Sequence, residues 1–211
     1  MDNGNGTLRR PGLFCQGAAF SIRLGAAANP AEPLGIQRKS LTEGYGFFPI
    51  FAPKSSAVQQ TLKQFDVIMQ DCRGLFAAKA RDYGTAWRIL RPASLTDQLF
   101  IKARRIRSIE EKGRQKVADS VEGDYVGLIN YSIMALIQLE LPPDAPLELP
   151  LEEALALYDQ QVSYTRELLA AKNHDYGEAW RDMRLSSMTD LILMKLLRIK
   201  QIEDNAGQAF V

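Results

Sequence analysis

The residues best suited to chemistry occur twice in the chain, and each set contains a pair of cations. Lys102 and Arg105 are three residues apart, so on a helix they share one face. An arginine can hold a phosphate through two parallel hydrogen bonds, whereas a lysine contacts it as a point charge. Lys195 and Arg198 repeat the pair at the same spacing. The two pairs predict contacts with phosphate oxygens or, alternatively, salt bridges to nearby carboxylates.

A second repeated element carries two aromatic side chains. It reads Asp-Tyr-Gly, followed by two further residues and Trp, and a nucleotide base stacked on such rings gains about 1–3 kcal/mol. Alternatively, the rings are buried and hold the segment between two helices against the core. From this element and the cation pairs we predict the ligand-binding residues Asp82, Tyr83, Trp87, Lys102, Arg105, Asp175, Tyr176, Trp180, Lys195 and Arg198.

A group of carboxylates follows the first cation pair. Glu110, Asp119 and Asp124 offer the oxygen ligands that Mg²⁺ prefers, and a bound Mg²⁺ could bridge to phosphates. The group therefore predicts a magnesium site, although acidic residues in the first turn of a helix also serve as ordinary partners of the helix dipole. No catalytic residue can be assigned, because the single histidine, His174, occurs in only one of the two sets.

These residues belong to an internal repeat with an offset of 93 positions. Residues 62–110 align with residues 155–203 without a gap, and 22 of the 49 pairs are identical. Apolar residues recur at spacings of three and four, which is typical of helices, and Gly84 and Gly177 are suited to end the first helix of each copy. The repeat predicts an all-α helical bundle built from a helix–aromatic linker–helix unit.

The later helices of the repeat can be placed from their capping residues and apolar stripes. Thr96 and Thr189 are predicted to cap the second helix of each copy, which would begin near residue 97 in the first copy. Gly113 should end that helix. A third helix is expected over about residues 116–140, and the sequence ends before its counterpart in the second copy.

Four segments follow from this organisation. They are an irregular or disordered extension (1–57), a first helical repeat domain (58–140), a proline-rich linker (141–150) and a second, incomplete repeat (151–211). A signal peptide is the alternative for the extension. The second repeat is expected to lean on the first, to take a helix from another subunit in a homodimer, or to be a truncated product.

Composition excludes several classes of protein. The formal net charge is +1, so the whole chain has no field that attracts nucleic acid. No apolar run approaches the roughly 20 residues that span a bilayer, which predicts a protein without membrane spans. Two cysteines in 211 residues favour a reduced, cytoplasmic protein over a secreted disulfide framework.

The repeated motifs resemble a known family. Lys-x-x-Asp-Tyr-Gly-x-x-Trp, then Thr-Asp and Lys-x-x-Arg-Ile, with Asn130-Tyr131 in the third helix, resemble the nucleotide modification associated domain type 1 family of bacteria and phages. The resemblance covers about residues 58–140 and again about 152–207. It implies a small all-α domain associated with modified nucleotides or bases, and it brings no established catalytic residues.

A more distant similarity is to all-α nucleoside triphosphate pyrophosphohydrolases of the MazG type, whose acidic motifs bind Mg²⁺. It implies that Glu110, Asp119 and Asp124 would bind the metal, although the Glu-x-x-Glu pair of those enzymes is missing here. We therefore predict a protein that binds a nucleotide or modified nucleotide, with Mg²⁺-dependent hydrolysis as a further expectation. The alternative is a non-catalytic helical module that binds nucleic acid or a protein partner.

Overall fold

The computed structural model describes residues 55–207, with side chains from Gln59 onward. Its five α-helices are α1 (Ser55–Tyr83), α2 (Pro92–Lys112), α3 (Val121–Glu140), α4 (Leu151–Tyr176) and α5 (Leu185–Asp204). A short 3₁₀ segment joins α1 to α2 (Ala86–Ile89), and another joins α4 to α5 (Ala179–Asp182). The prediction of an all-α fold is confirmed for this part of the chain. The predicted extension lies outside the described residues up to position 54.

Glycines end three of the helices, as the sequence predicted. Gly84 and Gly177 follow α1 and α4 with φ angles of 59° and 62°, and Gly113 follows α2 with a φ of 62°. These angles lie in the left-handed region, where a side chain would introduce strain. Each glycine therefore lets the chain leave its helix sharply, and after Gly84 and Gly177 the chain enters a 3₁₀ segment.

The predicted caps of α2 and α5 are wrong. The helices begin at Pro92 and Leu185, so Thr96 and Thr189 lie inside them. A proline suits the first helical position because its φ is already helical and its missing N–H would have no partner there. The start of α3 also differs from the expected residue 116, since Ser120 caps this helix by accepting a hydrogen bond from the Gly123 amide at 3.1 Å.

The five helices bury two apolar clusters around two helix pairs. Helix α1 packs on α4, α2 packs on α5, and α3 lies between the pairs and contacts α1, α2 and α4. Large fully buried side chains of the first cluster include Phe76, Ile133, Ile137, Tyr158 and Leu169, and those of the second include Leu95, Leu99, Ile106 and Ile199. No helix within residues 55–207 is long and apolar enough to cross a membrane.

Equivalent residues of the two copies, which are 93 positions apart in the sequence, make matching contacts across both helix pairs. Arg73 of α1 binds Asp159 of α4 with an Nε–Oδ1 distance of 2.6 Å, and Arg166 of α4 binds Asp66 of α1 at 2.7 Å. Such exposed ion pairs contribute at most about 1 kcal/mol each. They are nevertheless reciprocal, because each arginine binds the aspartate that lies seven residues before its counterpart on the other helix.

The pair α2 and α5 shows the same relation with buried groups. The Thr96 hydroxyl donates to Glu203 Oε1 at 2.8 Å, and the Thr189 hydroxyl donates to Glu110 Oε1 at 3.0 Å. Both threonines are at most 2% exposed. Burial raises the pKa of Glu203, and the hydrogen bond from Thr96 only partly opposes this rise. The repeated threonines and glutamates therefore join the two copies.

The cysteine of α1 gives a direct test of the first cluster. Cys72 is fully buried, and burial together with the neighbouring Asp71 carboxylate raises the pKa of its thiol to about 12. Because the thiolate is the reactive form, a Cys15→Ser variant should not react with a thiol reagent at pH 8 until it unfolds. Labelling rates measured with and without urea check this. Rapid native labelling would contradict the burial of Cys72.

Candidate functional site

A cavity of about 390 Å³ opens between the end of α1, the first 3₁₀ segment, α2 and α3. Its volume lies within the range typical of small-molecule sites. We call it the Trp87 cavity. Its lining residues are Leu75, Phe76, Lys79, Ala80, Tyr83, Gly84, Ala86, Trp87, Lys102, Gly123, Gly127, Asn130, Tyr131 and Met134.

The aromatic residues of the cavity differ in how firmly they are held. Trp87 packs against Phe76 of the core, with ring centroids 6.5 Å apart, and its buried Nε1 has no hydrogen-bond partner among the described residues. Tyr83 is 67% exposed, so it does not hold the 3₁₀ segment against the core, as one of the two readings of the sequence supposed. Its ring lies 5.6 Å from Lys79 Nζ. Trp87 thus gives a fixed wall, and Tyr83 an accessible one.

Two lysines bring positive charge to the cavity from different helices. Lys79 belongs to α1, and Lys102 belongs to α2. The Lys102 ammonium lies 3.7 Å from Asp124 Oδ1 and 5.9 Å from the centroid of the Tyr131 ring. Gly127 gives its stem room to cross α3, because a Cβ at that position would lie 2.6 Å from Lys102 Cε. The cavity therefore combines aromatic surface with two cations.

A buried polar side chain fixes α3 at the back of the cavity. Asn130 donates from Nδ2 to the Cys72 carbonyl at 3.1 Å and accepts from the Tyr158 hydroxyl at 2.8 Å. Burial raises the pKa of Tyr158, which keeps this hydroxyl a proton donor. These bonds join α3 to both α1 and α4, so the cavity wall is held from two sides.

Arg105 does not line the Trp87 cavity. Its guanidinium contacts the Asp124 carboxylate and donates to the Asp119 carbonyl at 2.8 Å. The buried Asp124 thus binds both cations of the first pair, Lys102 on the cavity side and Arg105 on the other. Arg105 therefore forms a salt bridge, as one of the two alternatives predicted. Lys102 forms a salt bridge and also lines the cavity.

The three carboxylates of the predicted magnesium site have separate surroundings. Glu110 accepts from Thr189 of α5, Asp124 binds two cations, and the Asp119 side chain is exposed. Within residues 55–207, no three Asp, Glu, His or Cys side chains are grouped so that they could hold a metal ion. The Mg²⁺ site stays a prediction, and it would require Asp124 to release at least one cation.

The ligand residues predicted in the second copy lie elsewhere. Tyr176 is 76% exposed, and Asp175, like its counterpart Asp82, is exposed outside the Trp87 cavity. Trp180 packs against the Arg181 guanidinium, with a distance of 4.4 Å from the ring centroid to Cζ. The difference from the first copy follows from α3, which supplies one wall of the Trp87 cavity.

The second cation pair also differs from the first. Lys195 is half-buried and Arg198 is exposed, and neither forms an ion pair with a described residue. Position for position, these residues match Lys102 and Arg105, which share the carboxylate of Asp124 from α3. The two cation pairs are equivalent in the sequence, but in the structure only the first pair contacts a carboxylate of α3.

Part of the repeat and most of the cavity lining fall within segments that match a family model. The chain resembles nucleotide modification associated domain 1. The model of that family matches residues 79–139 and 172–211, which contain both Asp-Tyr-Gly-x-x-Trp elements and both cation pairs. Neither a curated protein nor a solved structure matches the chain. All the lining residues of the Trp87 cavity except Leu75 and Phe76 lie within the first segment that matches nucleotide modification associated domain 1.

Lys79, Gly127 and Tyr131 line the cavity but are not among the site residues predicted from the sequence. A signal for Lys79 existed, because Lys172 repeats it 93 positions later. Gly127 and Tyr131 lie in α3, which falls outside the aligned repeat, so comparison of the copies could not identify them. The match to nucleotide modification associated domain 1 includes both of these positions.

Proposed function

We propose that the protein binds a nucleotide in the Trp87 cavity. The observation that carries the proposal is the meeting of Trp87, Tyr83 and Lys102, three sequence-predicted ligand residues, at one opening of about 390 Å³. A base has a flat apolar face that suits the aromatic rings, and its phosphate suits an ammonium group. The description of the matched family, nucleotide modification associated domain 1, supports the same class of ligand.

The arrangement of charges favours an anionic ligand over a neutral nucleoside. Lys79 and Lys102 reach the cavity from two helices, and no carboxylate residue is among those that line it. Asp124 offsets part of the Lys102 charge at 3.7 Å, so an incoming phosphate would share this ammonium with the carboxylate. Lys79 has no carboxylate partner among the described residues, and its ammonium faces the Tyr83 ring. The two lysines therefore provide more positive charge than the protein itself neutralises.

The two tryptophans allow a test with a matched control. In a Trp180→Phe variant the remaining fluorescence comes from Trp87, and in a Trp87→Phe variant it comes from Trp180. Both variants would be titrated with nucleoside mono- and triphosphates, including base-modified forms, with and without Mg²⁺. We expect saturable quenching of Trp87 and no change at Trp180, because a base that stacks in the cavity contacts only the first ring.

Two results would contradict the proposal. One is the absence of any fluorescence change and of any thermal shift of the unmodified protein across the whole panel. The other is quenching confined to the Trp180 reporter, which would place the ligand against the second 3₁₀ segment (Ala179–Asp182).

Catalysis is a separate question from binding. Hydrolysis with Mg²⁺ would depend on Glu110, Asp119 and Asp124, which the described structure does not group around one point. The proposal is therefore limited to binding. The same titrations would reveal hydrolysis as release of pyrophosphate or phosphate that requires Mg²⁺.

A further inference from the structure

A second groove lies on the far side of Asp124 from the Trp87 cavity. It has a volume of about 580 Å³ between the last turns of α2 and the segment after Gly113. We call it the basic groove. Its lining residues are Arg105, Ser108, Ile109, Lys112, Arg114, Gln115, Lys116 and Val117.

The basic groove concentrates charge in a protein that is nearly neutral. Arg105, Lys112, Arg114 and Lys116 line it, and no acidic residue does, whereas the net charge of the whole chain is +1. Lys112, Arg114 and Lys116 are exposed and form no ion pair with a described residue. Such a local concentration of like charge destabilises the fold by repulsion unless an anion is present.

The turn after α2 creates the groove. Gly113 has a φ of 62°, so the chain leaves the helix and places Arg114 and Lys116 beside the last helical turns. A cation at a helix C-terminus is favourable because of the helix dipole, and this accounts for Lys112. It does not account for Arg114 and Lys116, which follow the helix and face the same groove.

The basic groove and the Trp87 cavity are neighbours on α2. Lys102 lines the cavity, and Arg105, one helical turn later, lines the groove. Both contact the carboxylate of Asp124, which joins the two sites at their boundary. One helical turn advances about 5 Å along the axis, so a chain of phosphates that follows the groove would end at the cavity opening.

We infer that the ligand is a single-stranded nucleic acid, with its phosphates in the basic groove and one base in the Trp87 cavity. The inference rests on the proposed function and specifies its ligand class. A single strand fits because its bases are free to stack on aromatic side chains, whereas a duplex keeps them paired. A free nucleoside triphosphate is the other source of linked phosphates, and the test separates the two.

The test compares a fluorescently labelled single-stranded DNA decamer with a nucleoside mono- and triphosphate and with the duplex decamer. Binding of each to the full-length protein would be measured at salt concentrations from 50 to about 200 mM, the range over which phosphate contacts weaken strongly. We expect the single strand to bind at least about tenfold more tightly than either nucleotide or the duplex, because it places phosphates along the groove and a base in the cavity.

A variant of the basic groove, the groove variant, carries Lys112→Gln, Arg114→Gln and Lys116→Gln. Each lost phosphate contact should reduce the slope of log K against log salt by about 0.7, so the slope should fall by about 2 for the decamer. Binding of the mononucleotide should not change. The matched control carries Lys63→Gln, Arg91→Gln and Arg184→Gln, which remove the same charge from exposed cations outside the groove and should leave the slope unaltered.

Three outcomes would overturn the inference. The decamer could bind no more tightly than the triphosphate, the slope could be the same in the groove variant and the control, or Trp87→Ala could leave decamer affinity unchanged. In the first two cases mononucleotide binding that quenches Trp87 would leave the proposed function intact. Loss of all nucleotide binding to the cavity, with decamer binding retained in the groove, would instead reject the proposed function and the cavity part of the inference together.

Discussion

Replacement of Arg88 by alanine should destabilise the protein by about 3 kcal/mol. Arg88 is 6% exposed and donates to Gln138 Oε1 at 2.7 Å and to the carbonyls of Ala145 and Pro146 at 3.1 and 3.2 Å. Hydrogen bonds to a charged group contribute about 1.5–3 kcal/mol each, and their loss leaves partly buried acceptors without this donor. The substitution therefore weakens the attachment of the first 3₁₀ segment to α3 and to the linker before α4, although Gln138 still donates to the Arg88 carbonyl and Thr85 still bonds to the linker.

Arg181 is the matched control, since it occupies the same place in the second copy. Its side chain is 27% exposed, and it contacts Thr61, Gln64 and Glu178 rather than backbone carbonyls. We expect Arg181→Ala to cost about 1 kcal/mol, because water can replace partly exposed hydrogen bonds. Urea denaturation of the two variants would measure the difference. Equal losses of unfolding free energy would show that the linker attachment has no special weight.

The Lys102→Met variant should bind a nucleoside monophosphate roughly 10- to 100-fold more weakly than the unaltered protein. The expected factor corresponds to the loss of about 1.5–3 kcal/mol from a charge-assisted hydrogen bond to phosphate. Methionine keeps most of the apolar stem that crosses α3 at Gly127, so the shape of the cavity should change little. Isothermal titration calorimetry or quenching of Trp87 would measure the change.

Lys195→Met is the control, because it makes the same chemical change 93 positions away on α5. Lys195 does not line the Trp87 cavity, and we expect its replacement to leave affinity within about twofold of the unaltered protein. Removal of Lys102 also frees Asp124 on one side, so thermal denaturation should accompany the titrations to confirm folding. If both variants bound the nucleotide equally well, the assignment of the phosphate to Lys102 would fail.

The sequence predicted the helices and several of their ends because these features depend on local patterns. Apolar residues at helical spacing and glycines at Gly84, Gly113 and Gly177 were sufficient to place them. A threonine before an aspartate is typical of a helix cap, which is why Thr96 and Thr189 were predicted as caps. Both helices begin earlier, at Pro92 and Leu185, and each threonine hydroxyl donates to a glutamate of the other copy. That partner is 107 or 79 residues distant, and local sequence does not report it.

The candidate site was predicted in part for the same reason. Repetition identified Trp87 and Lys102, which line the cavity. It also selected Glu110, which instead accepts a hydrogen bond from Thr189 and so joins two helices. Tyr131 has no counterpart in the aligned segments, so no internal comparison could show its position beside Lys102. Tertiary packing of α3 decides which repeated residues share a cavity.

The reciprocal contacts between the copies have a consequence for how the proposed ligand would be received. Arg73–Asp159 and Arg166–Asp66 are equivalent bonds, so a twist of α1 against α4 would stretch both together. The Thr96–Glu203 and Thr189–Glu110 bonds resist the same movement between α2 and α5. Helices α1 and α2 also form walls of the cavity, and its shape is therefore established before an encounter. Preorganisation of this kind reduces the entropy lost on association and favours rapid capture without a closing step.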